Sequence, residues 1–458
     1  MDFPAAFLRR MEAQLGDEYD AFVKALSTDP SISLRTNPRK MQASSSLVSV
    51  PWANDAYYLP ERPVFTFDPL WHAGAYYVQE ASSMLLEQAL CQHLDLEQSL
   101  RVLDLCAAPG GKSTHLQSLI SQQSLLLSNE VIRSRARILR ENMIRWGAPN
   151  VIVTNNDPED FAALPGFFDL IVVDAPCSGE GLFRKDTAAV GEWNPTNLQI
   201  CVDRQRRILA SIWESLKPGG LLVYSTCTYH PAENEGNLVW LNQRADFENV
   251  NLELPSDWGF QTVEAGGITG YQALPHRVRG EGFFLALLRK TSGSIEEPGR
   301  VRKPKLERLS RRDRESLSPW LSTEKVHWGQ VEDKVFAYPE RQAEVWETVY
   351  DRMSVVSGGL LVAERKKKGF VPNHRLAMSQ WLRKEAFSEG ALTHTDALHY
   401  LKRDPLTTRF DNGWVLATFE NIPLGWLKQI GNRSNNYYPQ EWRIRMDLDA
   451  SKFWTIGA

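Results

Sequence analysis

SLRVLDLCAAPGGKSTHLQSLI, residues 99–120, decides the fold. It opens as a short apolar run, breaks at a turn built from Ala, Pro and two glycines, and resumes at helical spacing. An apolar strand that runs through a glycine turn into a helix is one unit of a parallel α/β sheet. The unit recurs downstream. SLLLSNE (124–130) precedes a helical RSRARILRENMIRWG (133–147), and VIVTNND (151–157) and FFDLIVVDAP (167–176) are third and fourth runs. The helix CVDRQRRILASIWESL (201–216) leads through KPGG into a fifth run, LLVYSTC (221–227), and GEGFFLALLRK (280–290) closes the series as a strand. Continuous apolar runs, without polar alternation, belong to strands covered on both faces. A doubly wound α/β domain is predicted over 65–290.

The flanks read differently. LRRMEAQLGDEYDAFVKAL (8–26) has the apolar spacing of one or two amphipathic helices, and SISLRTNP (31–38) reads as a short strand. TSGSIEEPG (291–299) has linker composition, and the stretch 300–315 carries eight basic and three acidic residues. VSGGLLVAERKKKGFVPNH (356–374) is irregular. DNGWVLATFENIPLGWLKQIGNRSNNYYPQEWRIR (411–445) reads as short strands joined by Gly, Asn and Pro turns, a small β-rich terminal domain. The expected division is 1–64, 65–290, 291–375 and 376–458.

Composition excludes several classes. Hydrophobic residues make up 43% and charged residues 24%, as in a globular chain and unlike a disordered one. MDFPAAFLRRMEAQ at the start lacks a signal-peptide core, and no run approaches the ~20 apolar residues of a membrane span. A cytoplasmic monomer that contacts no membrane is expected. The formal net charge is −4, which leaves nucleic-acid binding to local patches. None of the five cysteines forms a CxxC pair, so no structural metal is expected.

The turn CAAPGGK (106–112) sits where a ligand loop belongs. Gly110 and Gly111 let backbone approach a ligand, and the helix that follows offers free N–H groups. Glu130 ends the second run, 20 residues after Gly110, the spacing at which an acidic residue grips ribose hydroxyls in nucleoside-binding α/β folds. Asp157 ends the third run and Asp174 the fourth. Any one of these acids could simply cap the turn after it. Three of them and a glycine loop at four successive strand ends form an adenosine-type site. GGKS also invites comparison with the triphosphate loop GxxxxGK[ST], but its first glycine would fall on Cys106, which argues against an NTPase.

Cys177 in DAPCSGEG and Cys227 in STCTY end neighbouring strands on the same edge as that loop. Carbon 5 of cytosine is too weak a nucleophile to attack a methyl sulfonium directly. A thiolate added to carbon 6 makes the ring an enamine, and carbon 5 then accepts the methyl group. A group beside ring nitrogen 3 assists the addition, and Asp174 is placed for that. Two cysteines, one adding and one assisting release, match these steps. A lone cysteine is more often a small buried hydrophobe, and here the flanking Pro176, the glycines and the strand-end placement weigh against that.

With these residues in hand, the chain resembles the Nol1/Nop2/Sun family of 5-methylcytosine RNA methyltransferases. AGAYYVQEASSMLLEQAL (73–90), LDLCAAPGGKSTHL (103–116), NEVIRSRARILRENMIRWG (129–147), VDAPCSGEGLFRKD (173–186), YSTCTYHPAENE (224–235) and PHRVRGEGFFLALLRK (275–290) carry the resemblance, in order. It implies a Rossmann-like class I methyltransferase core that uses S-adenosylmethionine. Cys106, Ala107, Ala108, Pro109, Gly110, Gly111 and Lys112 would line the cofactor, with Glu130 on the ribose, Arg135 in support and Asp157 near the adenine. Asp174 would serve both cofactor and target base. The resemblance, not the spacing, assigns Cys227 as nucleophile and Cys177 as the release residue, with Asp174 and Lys112 completing the catalytic set. GLLVAERKKKGFVPNHRLAMSQWL (359–382) and GWVLATFENIPLGWLKQIGNRSNNYYPQEWR (413–443) resemble the bacterial small-subunit rRNA branch, including its PUA-like RNA-binding domain. SLRTNPRK (33–40) departs from the Val-Asn-Thr sequence frequent in the family. On this reading 1–64 is a mixed α/β RNA-binding cap, 65–290 the methyltransferase, 291–375 a basic linker and middle segment, and 376–458 the PUA-like domain.

RNA is therefore the expected partner, 16S rRNA or the small subunit before tRNA. A catalytically silent assembly factor is a further alternative, against which Asp174, Cys177 and Cys227 argue. Basic clusters at 300–314 and 365–368 suit phosphates. Trp414, Trp426, Tyr437, Tyr438 and Trp442, interleaved with Lys428, Arg433, Arg443 and Arg445, suit stacking on unpaired bases.

Overall fold

A computed structural model describes residues 3–42, 47–294 and 306–456. The alternating strands and helices form one central sheet: β1 (Arg101–Asp104), α1 (Gly111–Leu119), β2 (Leu125–Asn129), α2 (Arg133–Trp146), β3 (Val151–Thr154), β4 (Phe168–Asp174), α3 (Pro195–Ile212) and β5 (Leu216–Thr226). These strands lie in the order 3-2-1-4-5, and the pairs β3–β2, β2–β1, β1–β4 and β4–β5 are parallel. The chain winds outward in both directions from β1 and β4. The carboxyl ends of these two strands therefore flank the crevice where open α/β sheets bind ligands. The closing strand Phe283–Lys290 runs antiparallel to β5.

Every strand is buried on both faces, as the unbroken apolar runs require. Successive residues alternate between two cores. Val102, Leu126, Val153, Leu170 and Val172 pack on one side with Leu116, Leu139 and Met143 of α1 and α2. Leu103, Leu127, Ile152, Ile171 and Val173 pack on the other with Ile208, Leu209 and Ile212 of α3.

The flanks are more ordered than their composition suggests. The N-terminal helices are Ala5–Leu15 and Tyr19–Leu26, as the apolar spacing predicts. A four-stranded sheet follows, and its last strand is Tyr76–Val78, past residue 64 where the cap was expected to end. The region expected to be a basic linker and irregular middle segment holds a five-stranded antiparallel sheet between Glu307 and Pro372. Its strands are two to seven residues long, too short to stand out from the turns between them. The boundary drawn at 376 falls inside the helix His374–Met378. A four-stranded sheet of Ser388–Ala391, Gly413–Phe419, Ile422–Ile430 and Arg433–Asn436 forms the β-rich terminal domain.

These parts interlock. Val355–Gly358 adds an edge strand to β3, and Trp346, Val349 and Met353 join the core beneath the central sheet. Leu34, Leu59 and Tyr76 of the N-terminal sheet, with Phe67 from the turn of helix between its strands, share one core with Leu398, Leu401, Val415 and Leu427 of the terminal domain. At that junction the Arg145 guanidinium lies 5.0 Å from the Trp71 ring and 4.9 Å from the Trp442 ring. Among the described residues, no helix is long and apolar enough to cross a membrane.

Two predictions follow from this packing. Trp346→Ala should lower the urea midpoint of the methyltransferase core by an amount worth roughly 3–5 kcal/mol, because Trp346 is 1% exposed and fills the sheet's underside. Burial, with Arg145 nearby, pushes His72 and His374 down to about 3 from the usual value near 6.5. A histidine held neutral only in the folded state contributes stability above its unfolded pKa, and that contribution is lost as pH falls through the folded value. Melting temperature should therefore hold above pH 7 and decline as pH falls from about 6.5 towards 3. His374→Gln should flatten that decline.

Candidate active site

The loop after β1 begins with a buried acid. Burial pushes Asp104 up to about 7, and its Oδ2 accepts a 2.6 Å bond from the Ser113 hydroxyl on α1. Gly110 is the N-cap of α1 with φ +119°, the left-handed region that favours glycine, and a Cβ there would meet Leu139 at 3.3 Å. Gly111 needs no such freedom, since a Cβ there would make ordinary contact with Tyr77. Because the cap is glycine, no side chain satisfies the first N–H groups of α1. Cys106 lies in the same loop, and burial with the neighbouring acids drives its thiol pKa far above the usual range. That suits a packing role, not a reactive one.

At the end of β2 the Glu130 side chain is 3% exposed. Its Oε1 accepts from the Ile132 N–H at 2.8 Å, and its Oε2 lies 3.5 Å from Arg135. Arg135 also donates to the Ala108 carbonyl at 2.8 Å, so it ties the loop after β1 to the acid after β2. Asn129 links three strand ends by donating to the Leu105 and Asn156 carbonyls. Val131 and Ile132, beside Glu130, are about half exposed, an apolar surface next to a carboxylate. Uncapped N–H groups, a carboxylate and exposed aliphatics together fit the carboxylate, ribose and base of an adenosyl amino acid. Asp157 sits differently. It caps the turn Pro158–Ala163 in a capping box with Asp160 and pairs with Arg207 at 3.0 Å. The capping role that any strand-end acid can play is therefore present at this position.

The chemistry concentrates at the ends of β4 and β5. Asp174 Oδ2 lies 2.8 Å from Lys112 Nζ, and its Oδ1 accepts from Ser225 at 2.9 Å. Burial opposes the charge on Lys112, but the field of Asp174 and their hydrogen bond outweigh it, so its pKa rises. Cys177 and Cys227 are free thiols with sulfurs 3.0 Å apart, and the Cys227 N–H donates to Cys177 Sγ at 3.3 Å. The neighbouring sulfur, then burial, push the Cys177 pKa well up.

Sequence reading missed the residues that hold this arrangement. Glu180 and Glu233 are fully buried carboxylates that bridge the two cysteine loops. Glu233 accepts from the Ser178 N–H at 2.8 Å and the Ser178 hydroxyl at 2.5 Å. Glu180 accepts from Thr228 and from the Tyr229 N–H. Both lie inside the quoted motifs, but their partners are about 50 residues away, beyond any local pattern.

The aromatic and basic residues of the terminal region divide. Trp426, Tyr438 and Trp442 are buried core, which corrects their expected stacking role: a small β domain needs large side chains inside. Tyr437 is 40% exposed and packs at 4.7 Å against the partly exposed Trp414, under Lys428. Residues 295–305, the end of the linker and the first part of the basic stretch, lie outside the described residues. Arg365 pairs with Asp313, and Lys366 with Asp333 and Glu364.

The family model "16S rRNA methyltransferase RsmB/F" matches residues 91–289, the N-terminal domain of RsmF matches 3–81, and the RsmF PUA domain matches 387–444. Ribosomal RNA small subunit methyltransferase F of Enterobacter sp. (strain 638) is 34% identical over 96% of this chain and 95% of its own length. The Klebsiella pneumoniae (strain 342) protein of the same name is 33% identical, with 96% of both chains covered. A methyltransferase homologue from Pyrococcus horikoshii has 28% identity and a TM-score of 0.54, covering 63% of this chain and 95% of its own. NSun6 from the same organism, solved with SFG, shares the fold at 19% identity and a TM-score of 0.53, over 64% of this chain and 99% of its own. S-adenosylmethionine is the cofactor of this class I fold.

Glu130→Gln should weaken S-adenosylhomocysteine binding by about 1.5–3 kcal/mol, roughly 10- to 150-fold, through loss of charge-assisted ribose bonds. The amide keeps an acceptor for the Ile132 N–H, so melting temperature should change little. Titration calorimetry reads the first effect, and an unchanged affinity would remove Glu130 from the site.

Proposed function

We propose that this chain, which belongs to the RsmF family of ribosomal RNA small subunit methyltransferases, methylates carbon 5 of a cytosine in 16S rRNA through a covalent adduct on Cys227. The observation that carries this reading is the pair of free thiols 3.0 Å apart beside the Lys112–Asp174 ion pair. A methyltransferase that alkylates an exocyclic nitrogen or a ribose oxygen has no use for two juxtaposed thiols. A nucleophile that must add and then leave has a use for both.

The steps assign one task to each group. Cys227 adds as thiolate to carbon 6, and a carbon–sulfur bond forms while electron density moves towards ring nitrogen 3 and carbon 5. Asp174 and Lys112 supply the polar pair that stabilises that charge. S-adenosylmethionine supplies the methyl group to carbon 5. Cys177, as thiolate once the Cys227 sulfur is tied up in the adduct, then accepts the carbon 5 proton, the carbon 6–sulfur bond breaks, and Cys227 departs as thiolate. In the cofactor site the uncapped N–H groups of α1 receive the amino acid carboxylate, and Glu130 with Arg135 holds the ribose. The residues 106–112 wrap its methionine portion, and Asp157 stands at the adenine end. The target base must leave its stack to reach the two sulfurs, so an unpaired or flippable cytosine is the substrate. The N-terminal cap and the terminal domain supply RNA contacts, and the enzyme acts as a monomer in the cytoplasm.

The two cysteines separate in a trapping experiment with substrate RNA and S-adenosylmethionine. Cys227→Ala should abolish methylation and give no shifted protein–RNA band on a denaturing gel. Cys177→Ala should also lose turnover, by at least about 100-fold, yet accumulate the band. A band in Cys227→Ala instead would mean that the roles are exchanged. No band in either, on RNA that the wild type methylates, would mean that no covalent adduct forms.

A further inference from the structure

The N-terminal helix Ala5–Leu15 packs against both cysteine loops. Phe7 stands 5.0 Å from Phe183, edge to face, and shares a core with Met11, Tyr229 and Leu274. Three residues on, Arg10 reaches past this cluster. Its Nη2 lies 2.6 Å from Glu180 Oε1, and its Nη1 donates to the Tyr229 carbonyl at 3.3 Å. Trp193 Nε1 donates to the same Glu180 oxygen at 3.0 Å. The other oxygen, Oε2, accepts from Thr228 Oγ1 at 3.2 Å and from the Tyr229 N–H at 3.3 Å.

Glu180 is therefore three residues from Cys177 and bonded to the two residues that follow Cys227. Glu233 makes the reciprocal link, from six residues after Cys227 to Ser178 beside Cys177. Between them the Gly181 N–H donates to the Cys227 carbonyl at 2.9 Å. A Cβ on Gly181 would lie 2.8 Å from that oxygen and 2.5 Å from the Gly282 carbonyl, so the loops touch through bare backbone. The separation of the sulfurs is set by this double link. A carboxylate with no exposed surface needs a compensating charge. Burial raises the Glu180 pKa and Arg10 opposes it, and Arg10 is the cation paired with that carboxylate.

We propose that Arg10 and Glu180 are positioning residues for the cysteine pair, so that the N-terminal helix controls release of the methylated base. The inference rests on the covalent reading above. Without Arg10 the Glu180 carboxylate loses its counter-charge, the link between the loops loosens, and Cys177 no longer meets the adduct on Cys227. Addition and methyl transfer need only one sulfur, so elimination suffers most.

The test uses the full chain and compares Arg10→Ala, Arg10→Lys and Glu18→Ala. Glu18 also joins the N-terminal helices to the methyltransferase domain, through His276 and Arg277, but touches neither cysteine loop. Readouts are kcat, KM for 16S rRNA, and the fraction of enzyme trapped on RNA at steady state. Arg10→Ala should lower kcat about tenfold or more, with KM within about twofold, and raise the trapped fraction severalfold. Arg10→Lys should restore most of kcat, and Glu18→Ala should leave the trapped fraction at the wild-type level. If Arg10→Ala proves unfolded, Glu180→Gln, which preserves shape, takes its place with the same expectation. If Arg10→Ala and Glu18→Ala behave alike while Cys177→Ala traps RNA, the positioning role is wrong and the covalent reading stands. If Cys177→Ala traps nothing, the covalent reading fails and this inference fails with it.

Discussion

The register between β4 and β5 is the constraint on which the site depends. Parallel pairing sets Val173 against Tyr224 and Asp174 against Ser225. Once that register is fixed, the loops leaving the two strands must start side by side. Cys177 and Cys227 then come within reach of each other, and Ser225 within reach of Asp174. A shift of one residue would turn the apolar side chains of β5 to the wrong core and move its cysteine by more than 3 Å. The alternation of Leu221 and Val223 with Leu222 and Tyr224 between the two cores prevents such a shift. Packing energy far from the reacting atoms thus secures the distance between the thiols.

Register alone leaves the loops free to swing, and the structure restrains them with buried charge. Two carboxylates without exposure, placed a few residues from the sulfurs, would be costly if unpaired. Neutral donors from Ser178, Gln205, Thr228 and the backbone satisfy most of their lone pairs. Each donor has a fixed direction, so the network specifies geometry as well as lowering the desolvation cost.

How much of this was legible in the sequence follows from the range of each signal. The strand–turn–helix units of 99–227 are local patterns, and the parallel sheet, the loop 106–112 and the strand-end residues Glu130, Asp174, Cys177 and Cys227 could be read from them. Asp157 could be placed at a strand end, but its capping box and its Arg207 partner could not be seen. The middle sheet was hidden because its strands are short. Trp426 and Tyr438 were misread because an aromatic residue beside a lysine looks the same whether it stacks on a base or fills a core. Arg10, Glu180 and Glu233 escaped because their roles exist only between distant segments.

The shared core of the first and last domains has a further consequence, for the order in which the chain matures. Leu34, Leu59 and Tyr76 precede Leu398, Val415 and Leu427, which cover them, by more than 300 residues. At ~5–20 residues per second, roughly 16–80 seconds separate the two sets during translation. The central sheet likewise waits for its edge strand at Val355–Gly358. Through that interval the nascent chain carries an apolar face without its native cover. A chain ended after the methyltransferase segment would keep that apolar face uncovered, the condition in which partly folded chains aggregate.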